Sequence, residues 1–401
     1  MSTVVTGMAV AAPNGLGTED FWTATLAGRT GLGRITRFVP DSYPARLAGE
    51  IKGFEPGQHL PGRMLTQTDH VTRLNLVLSD WAFADAGVKP DDHSDFDKGV
   101  VTASSAGGYE FGERELRNMW SKGGQYVSAY QSFAWFYAVN SGQLSIRHNL
   151  CGPSGVVVSD HAGGLDALAQ ARRQVRRGTP LMLSGAVDSS LCSWGWVAHL
   201  AGGRISTSTD PVRAYRPFDA SAGGHVPGEG GAILVLEEER AARERGARIH
   251  GEFAGYGTSF DPRPGGGRPP ALRRAVESAL TDAGVAPAEV DVVFADAAAV
   301  ADLDAVEASA LRDVFGPGGV PVTAPKTMTG RLGSGTGALD VAAALLSIRD
   351  AVIPPTTNVT PDPAYGLDLV VGEPRRAPVR TALVVARGHG GFNSAVVVRA
   401  A

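Results

Sequence analysis

Cysteine and charge are scarce in this sequence. The 401 residues include only two cysteines, Cys151 and Cys192. Two thiols are too few for a disulfide framework or a four-cysteine zinc site, and they fit a reducing compartment. Charged residues make up 19% of the chain, and 37 Lys and Arg against 41 Asp and Glu give a formal net charge of −4. The chain therefore lacks the basic excess of a nucleic-acid-binding protein.

Long apolar runs are also missing. No run approaches the roughly 18 uninterrupted apolar residues that are needed to span a bilayer. The N-terminal segment MSTVVTGMAVAAPNG is apolar, but the first basic residue is Arg29, so the charged region that opens a signal peptide is absent. The sequence has no metal-binding signature, Walker loop or dinucleotide fingerprint. These absences predict a cytoplasmic protein with no metal site, no membrane span and no nucleic-acid partner.

Apolar residues are plentiful, at 43% of the chain, so a large core can be buried. Short β-branched runs alternate with helical patterns, as an α/β fold requires. Because the runs are nearly all apolar, we expect strands that are buried on both faces. The predicted strands cover residues 3–10, 100–103, 156–159, 181–184, 232–236, 292–295 and 382–386, and the predicted helices cover 165–177, 271–283 and 339–353.

The chain is predicted to consist of two related halves. Residues 237–257 are charged at first and then turn back into a strand, GEFAGYG, which opens a second series of strands and helices. The division is expected at 1–240 and 241–401. The irregular stretch 261–270, DPRPGGGRPP, is expected to connect elements on the surface rather than to separate independent domains.

The most informative segment is GPSGVVVSDHAGGLDALAQARR, residues 152–173. A β-branched strand runs into a sharp turn, and a helix is predicted to start near Gly164. Such an elbow presents one side chain at the helix N-terminus, where backbone N–H groups and the positive end of the dipole favour an anion or a thiolate. That side chain is His161, which we expect to be exposed and to prefer its neutral form, as the catalytic histidine of triosephosphate isomerase does at a helix N-terminus.

The elbow resembles that of the β-ketoacyl synthases of the thiolase superfamily, in which a cysteine nucleophile precedes a small-residue turn and Gly-Leu-Asp. His161 stands at the cysteine position. The segment RPFDASAGGHVPGEGGAILVLE, residues 216–237, resembles the PFD…GEGA segment of that family. The resemblance implies a thiolase-like five-layered αβαβα fold, with a β-ketoacyl synthase N-terminal-type half at 1–240 and a C-terminal-type half at 241–401.

In that family, two histidines assist decarboxylation of the malonyl unit and stabilise the oxyanion. Counted back from the Asp-x-x-Glu motif that ends at Glu307, the place of the first histidine is taken by Asp296. In PKTMTGRLGSGTG, Lys326 is retained and Arg331 stands at the place of the second histidine. The resemblance implies a degenerate site of His161, Asp296, Lys326, Arg331 and Glu307. We expect Asp296 to pair with Arg331, and Lys326 and Glu307 to belong to a buried hydrogen-bonded network.

The gate loop of the family, of the type NSFGFGG, has become ARGHGGFNS here, which places Arg387 and His389 where phenylalanines are usual. The combined pattern resembles the chain-length factor, the β subunit of a type II polyketide ketosynthase heterodimer. The resemblance implies an obligate ketosynthase α partner, an acyl carrier protein, and a subunit that itself lacks condensing activity. It implies no cofactor, because the phosphopantetheine arm belongs to the carrier-bound substrate.

The resemblance implies that a helix near the partner subunit sets the length of the polyketide product. The matching stretch here is GGYEFGERELRNMW. Tyr109, Gly112 and Leu116 recur at helical spacing and share one face. The missing side chain of Gly112 predicts room for a long substrate tunnel; without the resemblance, an ordinary amphipathic helix would explain the pattern. An aromatic patch that includes Phe133, Trp135 and Phe136 is predicted to contact the partner.

Two other functions remain open at this point. His161 could decarboxylate a malonyl carrier protein to supply the acetyl primer, or it could simply fill the space left by the cysteine. An independent thiolase-like acyltransferase would need another nucleophile, and Cys192, in DSSLCSWGW, is the only other cysteine close to a strand end. Its motif differs from that of the family, and burial is the common fate of a free cysteine.

Overall fold

The apolar runs of the sequence form one twelve-stranded sheet in a computed structural model, which describes residues 2–89, 92–263 and 265–401. The strands are β1 (Thr3–Ala12), β2 (Gly15–Leu16), β3 (Leu32–Arg34), β4 (Leu47–Gly49), β5 (Lys98–Ala103), β6 (Ser154–Val157), β7 (Leu181–Asp188), β8 (Gly230–Glu238), β9 (Gly251–Phe260), β10 (Val292–Phe294), β11 (Pro321–Thr323), β12 (Val352–Ile353), β13 (Asp368–Leu369), β14 (Arg375–Arg376), β15 (Thr381–Arg387) and β16 (Phe392–Arg399). The helices are α1 (Thr18–Leu26), α2 (Gly62–Gln67), α3 (His70–Ala86), α4 (Tyr109–Lys122), α5 (Gln131–Ala134), α6 (Val139–His148), α7 (Gly163–Arg176), α8 (Ser193–Ala201), α9 (Glu239–Glu244), α10 (Leu272–Ala283), α11 (Ala301–Phe315) and α12 (Gly335–Asp350).

The strand order repeats between the two parts of the chain. The first part of the sheet reads β6-β5-β7-β8-β1, and the second reads β11-β10-β15-β16-β9. In the first part, β8 pairs antiparallel with β1 and β7, whereas β5 pairs parallel with β7 and β6. In the second part, β16 pairs antiparallel with β9 and β15, whereas β10 pairs parallel with β15 and β11. Two related halves, as expected, are therefore present. The predicted division after residue 240 falls within α9.

Helices cover and separate the two halves. α7 and α12 pack against each other and against strands of both halves, whereas α3 packs on the outer face of the first half and α10 on that of the second. The two inner helices approach closely, because a Cβ on Gly164 would lie 2.5 Å from the carbonyl oxygen of Ser334 and one on Gly337 would lie 2.9 Å from the Leu165 side chain. The result is the five-layered αβαβα arrangement.

Three local expectations are wrong. β6 ends at Val157, two residues early, and it is a half-exposed edge strand rather than a doubly buried one. α12 ends at Asp350 because Ala351 takes a left-handed conformation, with φ of 52°, and Ile353 belongs to β12. Within 261–270, residue 264 lies outside the described residues; residues 265–270 are exposed, as expected of a surface connection.

Over the described ranges, no helix is both long and apolar enough to cross a membrane.

Candidate functional site: a degenerate condensing chamber

A cavity of about 500 Å³ lies where the two halves meet. It is bordered by the elbow before α7, by the segment that precedes α12, and by residues 387–391, which connect β15 to β16 and are called the gate loop below. The predicted residues His161, Asp296 and Arg331 all line this chamber. Lys326 and Glu307 lie behind its wall and are buried. The fold therefore brings together side chains that are up to about 170 residues apart in the sequence.

His161 is mostly enclosed, contrary to the expectation of an exposed residue. It follows Asp160, which has φ of 51°, within a short turn that leads into α7, and its side chain is only 13% exposed. Its Nδ1 lies 3.1 Å from the carbonyl oxygen of Gly333, which can only accept, so Nδ1 carries the proton and Nε2 keeps a lone pair. Burial, together with the nearby Arg331 charge, lowers the pKa of His161. The neutral form is favoured, as expected, although burial is the main cause.

Two more histidines, His199 and His225, line the chamber beside His161. The ring centre of His225 lies 5.8 Å from that of His161, in an edge-to-face arrangement. Nε2 of His199 lies 2.7 Å from the hydroxyl of Ser190. Burial lowers the pKa of both rings, that of His199 to about 4. The sequence did not point to them because neither occupies a histidine position of the family motifs; His225 does lie inside the PFD…GEGA-like segment.

The predicted ion pair between Asp296 and Arg331 is present. Arg331 donates through Nη2 to Oδ1 of Asp296 at 2.7 Å and through Nη1 to Oδ2 at 3.1 Å, and both side chains are almost fully buried. Oδ1 of Asp296 also accepts from the backbone N–H of Arg387 at 2.8 Å. Although burial opposes ionisation, Arg331 holds the pKa of Asp296 below its usual range. A fixed salt bridge thus occupies the two positions that the motif resemblance assigned to condensing histidines.

Lys326 and Glu307 hold backbone in place rather than pairing with each other. Lys326 Nζ lies 2.7 Å from Oδ2 of Asp340 and also donates to the carbonyl oxygen of Ala295. Glu307 accepts from the backbone N–H of Asp296 at 2.6 Å and from that of Ala297 at 2.9 Å. Burial and the Asp296 charge raise the pKa of Glu307 to about 7. The expected buried network therefore exists, in two separate branches.

Only one of the three predicted tunnel residues reaches the chamber. Tyr109 lines it and stacks on Trp194, with ring centres 4.8 Å apart. The room predicted beside Gly112 is limited within this chain, because a Cβ there would lie 3.1 Å from the Trp194 ring. Leu116 is 37% exposed on the protein surface. No sequence pattern points to Trp194, because it lies on α8, about 80 residues further along the chain.

The predicted interface residues lie at the surface, and Cys192 does not. Trp135 and Phe136 are exposed, whereas Phe133 is half-buried.

Cys192 is buried, accepts a hydrogen bond from the backbone N–H of Gly195 at the start of α8, and has its pKa raised to about 12, chiefly by burial. Because the thiolate is the nucleophilic form, this burial disfavours Cys192 as a nucleophile at neutral pH. Across the described residues, no cluster of metal ligands is found.

Fold and chamber together define a thiolase-like condensing-enzyme architecture without a condensing cysteine. The chain matches the model of the beta-ketoacyl synthase N-terminal domain over residues 2–242 and that of the C-terminal domain over residues 250–360. This chain belongs to the β-ketoacyl synthase family.

Its curated relatives include ketosynthase β subunits. The chain is 59% identical over 401 residues to a Streptomyces coelicolor protein named as β-ketoacyl synthase 2 of the actinorhodin polyketide, covering 100% of this chain and 98% of the relative. It is 57% identical over 399 residues to the tetracenomycin polyketide synthase ketoacyl synthase beta subunit of Streptomyces glaucescens, covering 99% and 98%. Among solved structures, the ishigamide ketosynthase/chain length factor matches with a TM-score of 0.90 and 28% identity, covering 100% and 99%.

The ion pair gives a stability prediction. Arg331→Ala should lower the free energy of unfolding by about 3–5 kcal/mol, because it leaves the Asp296 charge buried without its partner. The double change Asp296→Asn/Arg331→Gln should cost less than Arg331→Ala alone, since neither group then carries a charge. The measurement is chemical denaturation of the purified proteins. Arg243→Ala, which breaks an exposed pair with Glu239, is the control, with an expected loss of about 1 kcal/mol or less. A loss at Arg331 no larger than the control would contradict the buried pair.

Asp304 gives a pH prediction. Its Oδ2 accepts from the Phe218 N–H at 2.9 Å, and burial, aided by the Asp296 charge, raises its pKa from 3.8 to about 7. A carboxyl with a raised folded-state pKa stabilises the fold at low pH, and this stability is lost as the pH rises through about 7. Between pH 6 and pH 8 the loss should be about 1 kcal/mol. Asp304→Asn should reduce this slope in thermal unfolding and leave the part that Glu307, whose pKa is also raised to about 7, contributes. Asp302→Asn, on the exposed side of the same turn, should leave the slope unchanged.

Proposed function

We propose that this chain is the noncatalytic β subunit of a type II polyketide ketosynthase, a chain-length factor that helps to shape the tunnel for the growing poly-β-ketone. One observation carries the proposal: the chamber has the wall of a condensing site, but a neutral His161 and an Asp296–Arg331 salt bridge stand where the reaction needs a thiolate and two histidines. Among the described residues, no side chain that lines the chamber can therefore hold the acyl chain as a thioester.

A ketosynthase α subunit is the partner that this surface fits. Helices α4, α5 and α8 pack together and expose large apolar side chains, namely Leu116, Trp120, Trp135, Phe136, Trp194 and Val197. Clustered exposed apolar side chains mark interaction sites, and aromatic residues are enriched at stable interfaces. The strand β6 lies at the edge of the sheet, where it can pair with a further strand. The curated relatives named as β subunits support a heterodimer with an active ketosynthase.

The substrate would reach the complex on an acyl carrier protein. One matching structure, with a TM-score of 0.89 and 26% identity, is titled as an acyl-carrier protein in complex with its type II ketosynthase bound to the hexaketide. The phosphopantetheine arm then belongs to the carrier, and this chain needs no cofactor of its own. A cytoplasmic location is proposed on the two cysteines, which are both free thiols.

Length control is proposed to act through one face of α4. Tyr109 faces the chamber, Gly112 packs below Trp194, and Leu116 lies on the apolar surface, so one helix face runs from the chamber to the proposed interface. The tunnel in the heterodimer would follow this face. Larger side chains here would shorten the space that is open to the product.

Gly112→Phe should shift the product to shorter chains, because its ring displaces Trp194 toward the tunnel space. Arg117→Phe is the matched control, since it adds the same ring on an exposed side of the same helix. Both variants are co-expressed with the ketosynthase partner, the acyl carrier protein and a malonyl supply, and product length is determined by mass spectrometry. An unchanged product with an intact heterodimer would remove this helix face from length control.

His161→Ala should leave the yield of extended polyketide within about twofold of wild type, because a neutral imidazole that donates to Gly333 only fills the cysteine position. The relatives do not favour the alternative, in which His161 decarboxylates malonyl carrier protein to supply the acetyl primer. That alternative predicts a lost product that added acetyl carrier protein restores. The same co-expression assay, run with and without acetyl carrier protein, separates the two.

A further inference from the structure

A backbone N–H from a distant part of the chain reaches the carboxylate of Asp160, which lies in the elbow. The N–H of His389, in the gate loop, donates to Oδ2 of Asp160 at 2.7 Å. Asp160 also lines the chamber, directly before α7. Its carboxylate therefore joins the elbow to the gate loop at the edge of the chamber.

The carboxylate of Asp160 is anionic at neutral pH. Although burial opposes ionisation, the nearby His161 and the N–H of His389 hold its pKa at about 2. Hydrogen bonds to an ionised group are roughly twice as strong as those between neutral groups. The contact between Asp160 and His389 is therefore a charge-assisted hydrogen bond between the elbow and the gate loop.

Both ends of the gate loop are held as well. The N–H of Arg387 donates to Asp296 at 2.8 Å, and its carbonyl oxygen accepts from Arg331 at 3.2 Å. At the other end, the carbonyl oxygen of Gly391 accepts from the N–H of Asp261 at 2.8 Å. Between these points the loop touches the elbow closely, because a Cβ on Gly388 would lie 2.4 Å from the carbonyl oxygen of Ser159. The salt bridge that replaced the catalytic histidines thus also fixes one end of the loop.

We propose that Asp160 is a latch: its carboxylate accepts the N–H of His389 and so keeps the gate loop closed over the chamber. A closed loop excludes a carrier-bound acyl chain from this chamber and leaves the partner subunit as the only place for condensation. The proposal deepens the noncatalytic role and rests on it. Its test is separate from that of the proposed function, because access to the chamber can be measured without any polyketide product.

The test places a reporter thiol in the chamber. His161→Cys is made in a Cys151→Ser background, so that Cys192, which is buried, is the only other thiol in the chain. The heterodimer is treated with two thiol reagents, iodoacetamide, which is small, and a pantetheine-linked iodoacetamide, which is large. Labelling of the intact chain is followed by mass spectrometry. The comparison adds Asp160→Ala to the same background, with Asp80→Asn, a surface change on α3, as the control.

Two reagents are needed because Asp160 also acts through its charge. A carboxylate beside a thiol disfavours the thiolate, so its removal should speed both reagents by a similar factor. Opening of the gate loop should speed the large reagent more. We expect Asp160→Ala to raise the ratio of large-reagent to small-reagent rates by about tenfold, the factor that corresponds to the loss of one charge-assisted hydrogen bond. Asp80→Asn should leave the ratio unchanged.

Two results would overturn the latch. Rapid labelling by the large reagent while Asp160 is present would show that the chamber is already open. An equal gain with both reagents in Asp160→Ala would show that the carboxylate acts by charge alone. Hydrogen exchange of residues 387–391 is the second measurement and guards against misfolding: exchange should increase in these residues and stay unchanged in α12. Either failure would leave the proposed control of product length untouched.

Discussion

The buried salt bridge between Asp296 and Arg331 is the interaction on which the rest of the chamber depends. Taking two charges out of water is costly, and the pair is tolerated because its geometry is bidentate and it makes further hydrogen bonds to the backbone. Asp296 follows β10, Arg331 precedes α12, and both contact the backbone of Arg387 at the end of β15. One ion pair therefore joins three elements of the C-terminal half, and its positive member favours the neutral form of His161.

The backbone around this pair keeps a shape that suits glycine better than the residues present. Ala297 and Ala299 both have positive φ, of 52° and 54°, where an L-residue is disfavoured by about 1–2 kcal/mol. The strain is supported by neighbours: Glu307 accepts the N–H of Ala297, and the hydroxyl of Tyr215 donates to its carbonyl oxygen at 2.8 Å. The path of this loop is therefore held by its neighbours, without glycine at either position.

These details mark the boundary of what the sequence could predict. Periodicity and β-branched runs identified eight of the sixteen described strands and the inner helix α7, because buried elements leave a strong apolar pattern. The Asp296–Arg331 pair could be predicted because both residues occupy known positions of family motifs. The cluster with His199 and His225 could not, because contacts between distant segments leave no local pattern. The packing of Trp194 on Tyr109 and Gly112 was missed for the same reason. It changes the interpretation of Gly112, because the Trp194 ring already fills part of the space that the glycine was predicted to leave open.

The buried charges around the chamber cannot be removed one at a time. Two buried ion pairs join different elements here, Arg331 with Asp296 and Lys326 with Asp340, and the half-buried Asp160 joins the elbow to the gate loop. Loss of a single member of either buried pair leaves an uncompensated charge in the interior, which costs more than loss of both members. The start of α4 borders this chamber, because Tyr109 is part of its wall. A surface that sets product length needs a rigid wall, because a tunnel can exclude a longer polyketide only if its lining side chains stay in place.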